Sequence, residues 1–257
     1  RLLDAGSNVI TTNSTTTGRV AIQAVGGGGA LSGTTPRTAS SGVITFTNLS
    51  INTVGTGYTL RFTCDSTADT VDSSAFNVTP GAIDSITVQT QPAGALGGTA
   101  FATQPVIRLL DAGSNIITTD SATTVRVAIQ AVGGGGSLSG TSPVTVSSGI
   151  ATFSGLSINT IGAGYTLRFT CASSSDTVDS NAFTVSLGAI NTIAVQTEPA
   201  GATGGTAFAT QPVIRLLDAG SNVITTDSTT TVRVAIQAVG GGGALSGTTP
   251  RTASSGV

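Results

Sequence analysis

The sequence predicts an all-β chain of tandem antiparallel β-sandwiches, with about seven to nine short strands in each 107-residue period. Three observations predict this. The octapeptide Arg-Leu-Leu-Asp-Ala-Gly-Ser-Asn occurs at Arg1–Asn8, Arg108–Asn115 and Arg215–Asn222, each copy 107 residues after the last, and the sequence between the copies recurs too. Short runs alternate apolar and polar residues, and Gly, Ser, Asn and Pro interrupt them about every 8–12 residues. No segment sustains a helical period.

A period of 107 residues is long enough for a unit that buries its own core, whereas solenoid repeats of roughly 20–50 residues lean on their neighbours. The expected division is a partial repeat at 1–83 that lacks its first strand, a complete repeat at 84–190, and a partial repeat at 191–257 that stops inside a predicted hairpin. Residues 1–43 and 215–257 differ only at Asn13 against Asp227 and Gly18 against Val232. Residues 1–43 and 108–150 differ at nine positions. Such near-identity points to recent duplication, and the chain is expected to be a window on a longer array. It opens at Arg1, inside the repeat, so a missing secretion signal carries no weight.

Within 84–190 the elements follow from residue pattern. Ser85–Thr90 alternates and predicts a first strand, broken by Pro92 and the Gly97-Gly98 pair. Pro105–Asp111 predicts a second, with Ile107 and Leu109 inward and Arg108 outward. Asp111 to Asn115 is a turn, in which Gly113 is expected to supply a positive φ and Asp111 and Asn115 to bond nearby backbone. Thr124–Val132 is the clearest strand, with Val125, Val127 and Ile129 on one face, and Gly133–Gly136 ends it. Thr145-Val146, a Ser148-Gly149 turn and Ile150–Phe153 predict a hairpin, and Leu156 and Ile158 continue the apolar set. In the next strand Tyr165, Leu167, Phe169 and Cys171 share one face, opposite Thr166, Arg168 and Thr170. Phe183, Val185 and Leu187 close the unit. Gly18, standing where other copies carry Val125 and Val232, predicts poorer packing in the first copy.

Composition excludes most chemistry. Charged residues make up 9% of the chain; lysine, histidine, methionine and tryptophan are absent, and Glu198 is the one glutamate. Without His or Lys no Ser-His-Asp triad, Ser-Lys dyad or Cys-His pair can form, so no enzyme is expected and no catalytic or cofactor-binding residue is assigned. Lysine's absence also rules out Lys–Asn cross-links. The net charge of −2, without basic clusters, argues against nucleic acid. No apolar run of about 20 residues is present, so no membrane span is expected in this segment.

The remaining candidates have two readings each. Cys64 and Cys171 lie at equivalent inward positions, too far apart for a mutual disulfide in domains about 30–35 Å across. They read as free buried thiols, with an interchain disulfide as the alternative. Asp4, Asp111 and Asp218, and the loop carboxylates Asp69, Asp72, Asp176 and Asp179, read as turn caps, with Ca²⁺ at a domain junction as the alternative; no metal site is assigned. The glycine runs Gly26–Gly29, Gly133–Gly136 and Gly240–Gly243 lack the Lys and helix of a phosphate loop. Asn13-Ser-Thr15, Asn48-Leu-Ser50 and Asn77-Val-Thr79 fit the N-glycosylation pattern, read as unused in a bacterium and usable in an archaeon.

Val106 to Asn115, Gly149-Ile-Ala-Thr-Phe-Ser-Gly-Leu156 and Gly164-Tyr-Thr-Leu167, in that order, resemble the bacterial immunoglobulin-like repeats of large surface adhesins and invasin/intimin-type proteins. Gly57-Tyr58 and Gly164-Tyr165, before the penultimate strand, are similar to a tyrosine corner. The core Trp and intersheet disulfide of antibodies are missing. The resemblance implies extracellular stalks and fibres. The expected function is a structural segment of a cell-surface filament or adhesin stalk, associating with identical chains or repeats. The alternative is a module that binds a glycan or a cell-surface protein through its sandwich loops. The residues singled out as structural are Tyr58, Tyr165, Cys64, Cys171, Asp111 and Gly113.

Overall fold

A computed structural model of the chain describes residues 1–24, 28–131, 135–237 and 243–257, with Ala131 described by its backbone alone. Every regular element among them is a strand. The first copy contributes β1 (Thr17–Ala24), β2 (Leu31–Ser32), β3 (Arg37–Thr38), β4 (Ser50–Ile51), β5 (Gly55–Cys64), β6 (Thr70–Asp72) and β7 (Phe76–Val78). The second contributes β8 (Ser85–Thr90), β9 (Ala95–Leu96), β10 (Val106–Leu110), β11 (Thr124–Ala131), β12 (Leu138–Ser139), β13 (Val144–Thr145), β14 (Ile150–Thr152), β15 (Ser157–Ile158), β16 (Gly162–Cys171), β17 (Thr177–Asp179) and β18 (Phe183–Ser186). The third contributes β19 (Thr192–Thr197), β20 (Val213–Leu217), β21 (Thr231–Val232) and β22 (Arg251–Thr252).

The second copy folds as two larger sheets over one core, with the two-stranded pair β12-β15 beside them. One sheet runs β14-β10-β8; the other runs β13-β11-β16-β18-β9, with β17 also on β16. Ile86, Ile107, Leu109 and Ala151 from the first sheet meet Val125, Val127, Leu167, Phe169, Cys171 and Val185 from the second. Period-two alternation places these side chains, because successive Cβ atoms in a strand point to opposite faces. Tyr165, Leu167, Phe169 and Cys171 are all fully buried, while Arg168 and Thr170 between them are not. Phe153 and Phe169 pack with ring centroids 5.3 Å apart, and Phe101 meets Phe183 edge-on at 5.5 Å.

Three features depart from the sequence reading. The Ser148-Gly149 turn forms, but its flanks do not pair as a hairpin beyond the Ser147–Ile150 bridge. β13 joins β11 and β14 joins β10, so the turn carries the chain from one sheet to the other. One pair is parallel: β9 lies beside β18, through Val185 opposite Ala95. The strand predicted over Thr124–Val132 is described from Thr124 to Ala131, and Val132 lies outside the described residues. Gly18 leaves no poorly packed hole: a Cβ there would come within 2.9 Å of the Ile44 side chain. Ile44 occupies the position of Ala151, so Gly18–Ile44 replaces Val125–Ala151 at similar total volume, the kind of swap cores tolerate best.

The first copy repeats the register of the second. Val20 sits opposite Phe62 as Val127 sits opposite Phe169, and both strand pairs carry a bulge near their ends. The core strand of this copy is more open. Leu60, Phe62 and Cys64 are half-buried where Leu167, Phe169 and Cys171 are fully buried. Val71 is 65% exposed, whereas its counterpart Val178 packs against the core.

Candidate functional site

A polar cluster lies where one copy meets the next, at the Asp111–Asn115 turn. The turn is tight because Asp111 closes it: its Oδ1 accepts from the Gly113 and Asn115 amides, each at 2.9 Å, and from Asn115 Nδ2 at 2.9 Å. Its backbone amide donates to the Asn115 carbonyl at 3.0 Å. Ser114 takes the left-handed conformation, with φ 64°. The expectation that Gly113 supplies the positive φ is therefore incorrect. Gly113 is required for another reason: a Cβ there would overlap the backbone carbonyl of Asn52. The glycine lets the turn lie directly against the preceding copy.

Two further contacts lock that approach. Asn115 Nδ2 donates to the Asn52 carbonyl at 2.8 Å, and Asn115 Oδ1 accepts from the Val54 amide at 3.0 Å. One carboxamide thus satisfies a donor and an acceptor of the loop between β4 and β5. Asp111 Oδ2 accepts from the Gly81 amide at 3.0 Å, gripping the segment between β7 and β8. Burial pushes the Asp111 carboxyl up, but amide bonds from Gly81, Asn115 and Gly113 outweigh it and hold the group below the ordinary carboxylate range.

The same joint recurs 107 residues later. Asn222 Nδ2 donates to the Asn159 carbonyl at 2.8 Å, Asn222 Oδ1 accepts from Ile161 at 3.3 Å, and Asp218 Oδ2 accepts from Gly188 at 3.2 Å. A Cβ on Gly220 would overlap Asn159 as one on Gly113 would overlap Asn52. At this second joint Gly97 and Gly98 also close on Asp218, Ala219 and Asn222, with no room for a Cβ on either glycine. The third turn, Asp4 to Asn8, has no neighbouring copy against it among the described residues, yet Asp4 Oδ1 still accepts from the Gly6 and Asn8 amides at 2.9 Å. The turn is therefore preformed, and docking it against a neighbour costs little ordering entropy.

The other residues singled out from sequence occupy structural positions. The buried Tyr58 hydroxyl donates to the carbonyl of Gly28 at 2.6 Å or Thr53 at 3.0 Å; Tyr165 does the same to Gly135 or Thr160, at 2.5 and 3.0 Å. Each Tyr thereby ties the loop that receives the Asn carboxamide. Cys64 and Cys171 are both free thiols. Asp72 and Asp179 pair with Arg61 and Arg168, each at 2.8 Å, on the outer sheet face. Gly26, Gly27, Gly133, Gly134 and Gly240 to Gly242 lie outside the described residues. Among the described residues no group of three or more His, Cys, Asp or Glu lies together, and no helix is long and apolar enough to cross a membrane.

Sequence reasoning found the turn but not what it touches. Asn52, Val54, Gly81 and their counterparts lie 61–63 or 30 residues from their partners. The one available signal was an excess of bonding groups: Asp111 alone can close the turn, which leaves the Asn115 side chain unexplained.

No protein-family model and no curated protein matches the chain. Among solved structures, domains 4–9 of the surface layer protein SbsC align with 92% of this chain at 14% identity and a TM-score of 0.33. The aligned part is 34% of that chain, so the present sequence spans about a third of its length.

Proposed function

We propose that this chain is a non-enzymatic structural segment of an extracellular cell-surface fibre, filament or adhesin stalk. Its immunoglobulin-like repeats are set at a fixed angle by the Asp–Asn joint, and the fibre forms by association with identical chains. The observation that carries this reading is the joint itself, built twice from the same residue types with hydrogen bonds that agree within a few tenths of an ångström. A preformed turn meeting a backbone loop through a donor and an acceptor fixes orientation better than a flexible linker does. Repeated geometry of that kind propagates in one direction. The low charge and the absence of lysine leave surfaces and edge strands poorly guarded against contact with other copies. Loops that could carry a glycan or protein ligand at the joints are instead engaged by the neighbouring copy, which makes the binding-module reading the lesser one.

Antibodies raised against residues 84–190, applied to intact cells of the source, test the reading. Labelling along surface fibres is expected. Signal that emerges only after the cells are permeabilised would sink it.

A further inference from the structure

We propose that Asn48 is an N-glycosylation acceptor on the folded chain, and that Asn13 and Asn77, which carry the same sequence pattern, are not. The pattern Asn-x-Ser/Thr occurs at all three, and the structure separates them by what each carboxamide already does. Asn13 is a turn cap: its Oδ1 accepts from the Thr15 and Thr16 amides and its Nδ2 donates to Thr16 Oγ1 at 2.9 Å. Its counterparts Asp120 and Asp227 cap the same turn, so the fold itself explains a side chain of this shape there. Asn77 lies within β7, paired to β5, and its Oδ1 accepts from the Gly57 amide at 3.2 Å.

Asn48 differs on each count. It is exposed, it sits in a turn between Phe46 and β4, and among the described residues its carboxamide has no hydrogen-bond partner. Its backbone is left-handed, with φ 60°, and its carbonyl packs against Gly33. Gly155 stands at the same place in the second copy with φ 66°. The fold therefore uses the backbone of residue 48 and makes no demand on its side chain, which points to solvent beside an exposed Ser50. The Asn48 carboxamide can be reached in the folded chain, with Ser50 held at the start of β4 opposite Ser32. In the transfer, the bond between Asn48 Nδ2 and sugar C1 forms and the bond from C1 to the lipid pyrophosphate breaks. The amide proton passes to a base of the transferase, and the lipid pyrophosphate departs. The donor class is a lipid-pyrophosphate-linked oligosaccharide, and the glycan would hydrate a copy that has little charge of its own. Gly155 makes the second copy unmodifiable at this position, so sugar would mark one type of repeat.

The proposal rests on the extracellular reading, because such donors act on chains exported across a membrane. Its test does not depend on location. The folded, purified 257-residue chain is incubated with an oligosaccharyltransferase and a lipid-pyrophosphate-linked oligosaccharide, then digested and mapped by mass spectrometry. Asn48 is expected to be occupied at least about ten times more than Asn13 or Asn77, the ratio that a difference of about 1.4 kcal/mol in accessibility would give. Asn48→Gly, which copies the residue at Gly155, and Ser50→Ala, which keeps Asn48, should each abolish that product. An unmodified Asn48, equal occupancy at the three sites, or modification of Asn48 that survives Ser50→Ala would overturn the proposal while leaving the surface-labelling result untouched.

Discussion

The Asn115 carboxamide reaches back 63 residues to donate to the Asn52 carbonyl at 2.8 Å, while its oxygen accepts from the Val54 amide at 3.0 Å. This one side chain joins two copies of the repeat as a strand neighbour would, through backbone donor and acceptor together. Asn115→Ala leaves both backbone groups unpaired at a half-buried site. A penalty of about 1–3 kcal/mol is expected on the coupling between copies. Hydrogen exchange at the Val54 amide should rise toward that of an open loop, with exchange in β16 unchanged. Protection at Val54 that survives the substitution would show that the bond contributes nothing.

Gly113 and Gly6 offer a paired test within one chain. Both lie at the same point of the same turn, and neither has a positive φ. A Cβ on Gly113 meets the Asn52 backbone, whereas one on Gly6 comes no nearer than 2.9 Å, to the Asn8 side chain. Gly113→Ala should therefore pry the joint open and Gly6→Ala should be close to neutral, since alanine also restricts the unfolded chain. Small-angle scattering should report a looser particle for the first substitution alone. Identical profiles for the two variants would mean that the close approach to Asn52 does not hold the copies together.

What was legible and what was not divides along sequence distance. The bounds of β8 and the buried face of β16 follow from alternation, which is written in neighbouring residues. β9, β12 and β15 are two residues long, too short for any period to register. The separation of β13 from β14 into different sheets was hidden because a tight turn is the same local object whether its flanks pair or part. At the joint, the local half was readable and the partner was not: Asp111 announces a turn, but nothing near it names Asn52. Gly113 was misread for the same reason, since a glycine kept for close approach looks in sequence like one kept for its φ.

Acid should loosen the joint before it melts the sandwich. The folded Asp111 carboxyl lies below its ordinary range, so folding favours its ionised form. A group depressed in this way contributes stability above its unfolded pKa, about 3.9, and that contribution is lost as pH falls through the folded value. Protection of the Gly81 amide, which donates to Asp111 Oδ2, should accordingly decline below about pH 4 while β-sheet circular dichroism persists. Asp111→Asn should remove most of that pH dependence at Gly81. A Gly81 profile that stays flat from pH 6 to about pH 2 would contradict the assignment of the carboxylate to the joint.

The core of the second copy gives a test of strand facing. Phe169 is fully buried against Phe153, and Phe169→Ala should cost about 3–5 kcal/mol. Phe62 makes the equivalent contact with Phe46, at 5.4 Å, but is only half-buried, so Phe62→Ala should cost less. Urea unfolding of the two variants measures both. An effect below about 1 kcal/mol at Phe169 would mean that the inward and outward faces of β16 have been exchanged.

The two cysteines extend that comparison to chemistry. Cys171 is fully buried, and Cys64, at the same position of the other copy, is half-exposed and lies 3.2 Å from the Ser66 hydroxyl. Hydrogen bonding from Ser66, then Thr67, lowers the Cys64 thiol below its usual range, which raises the fraction of reactive thiolate near neutral pH. Burial denies Cys171 the access that reaction requires. A thiol-exchange reagent at neutral pH should therefore modify Cys64 at least about ten times faster than Cys171, with the second thiol released only as the sandwich unfolds. Addition of denaturant should bring the two rates together. Equal rates in the native chain would show that the sheet pair around Cys171 opens as readily as the uncovered one around Cys64, contrary to the burial that the two-sheet core imposes.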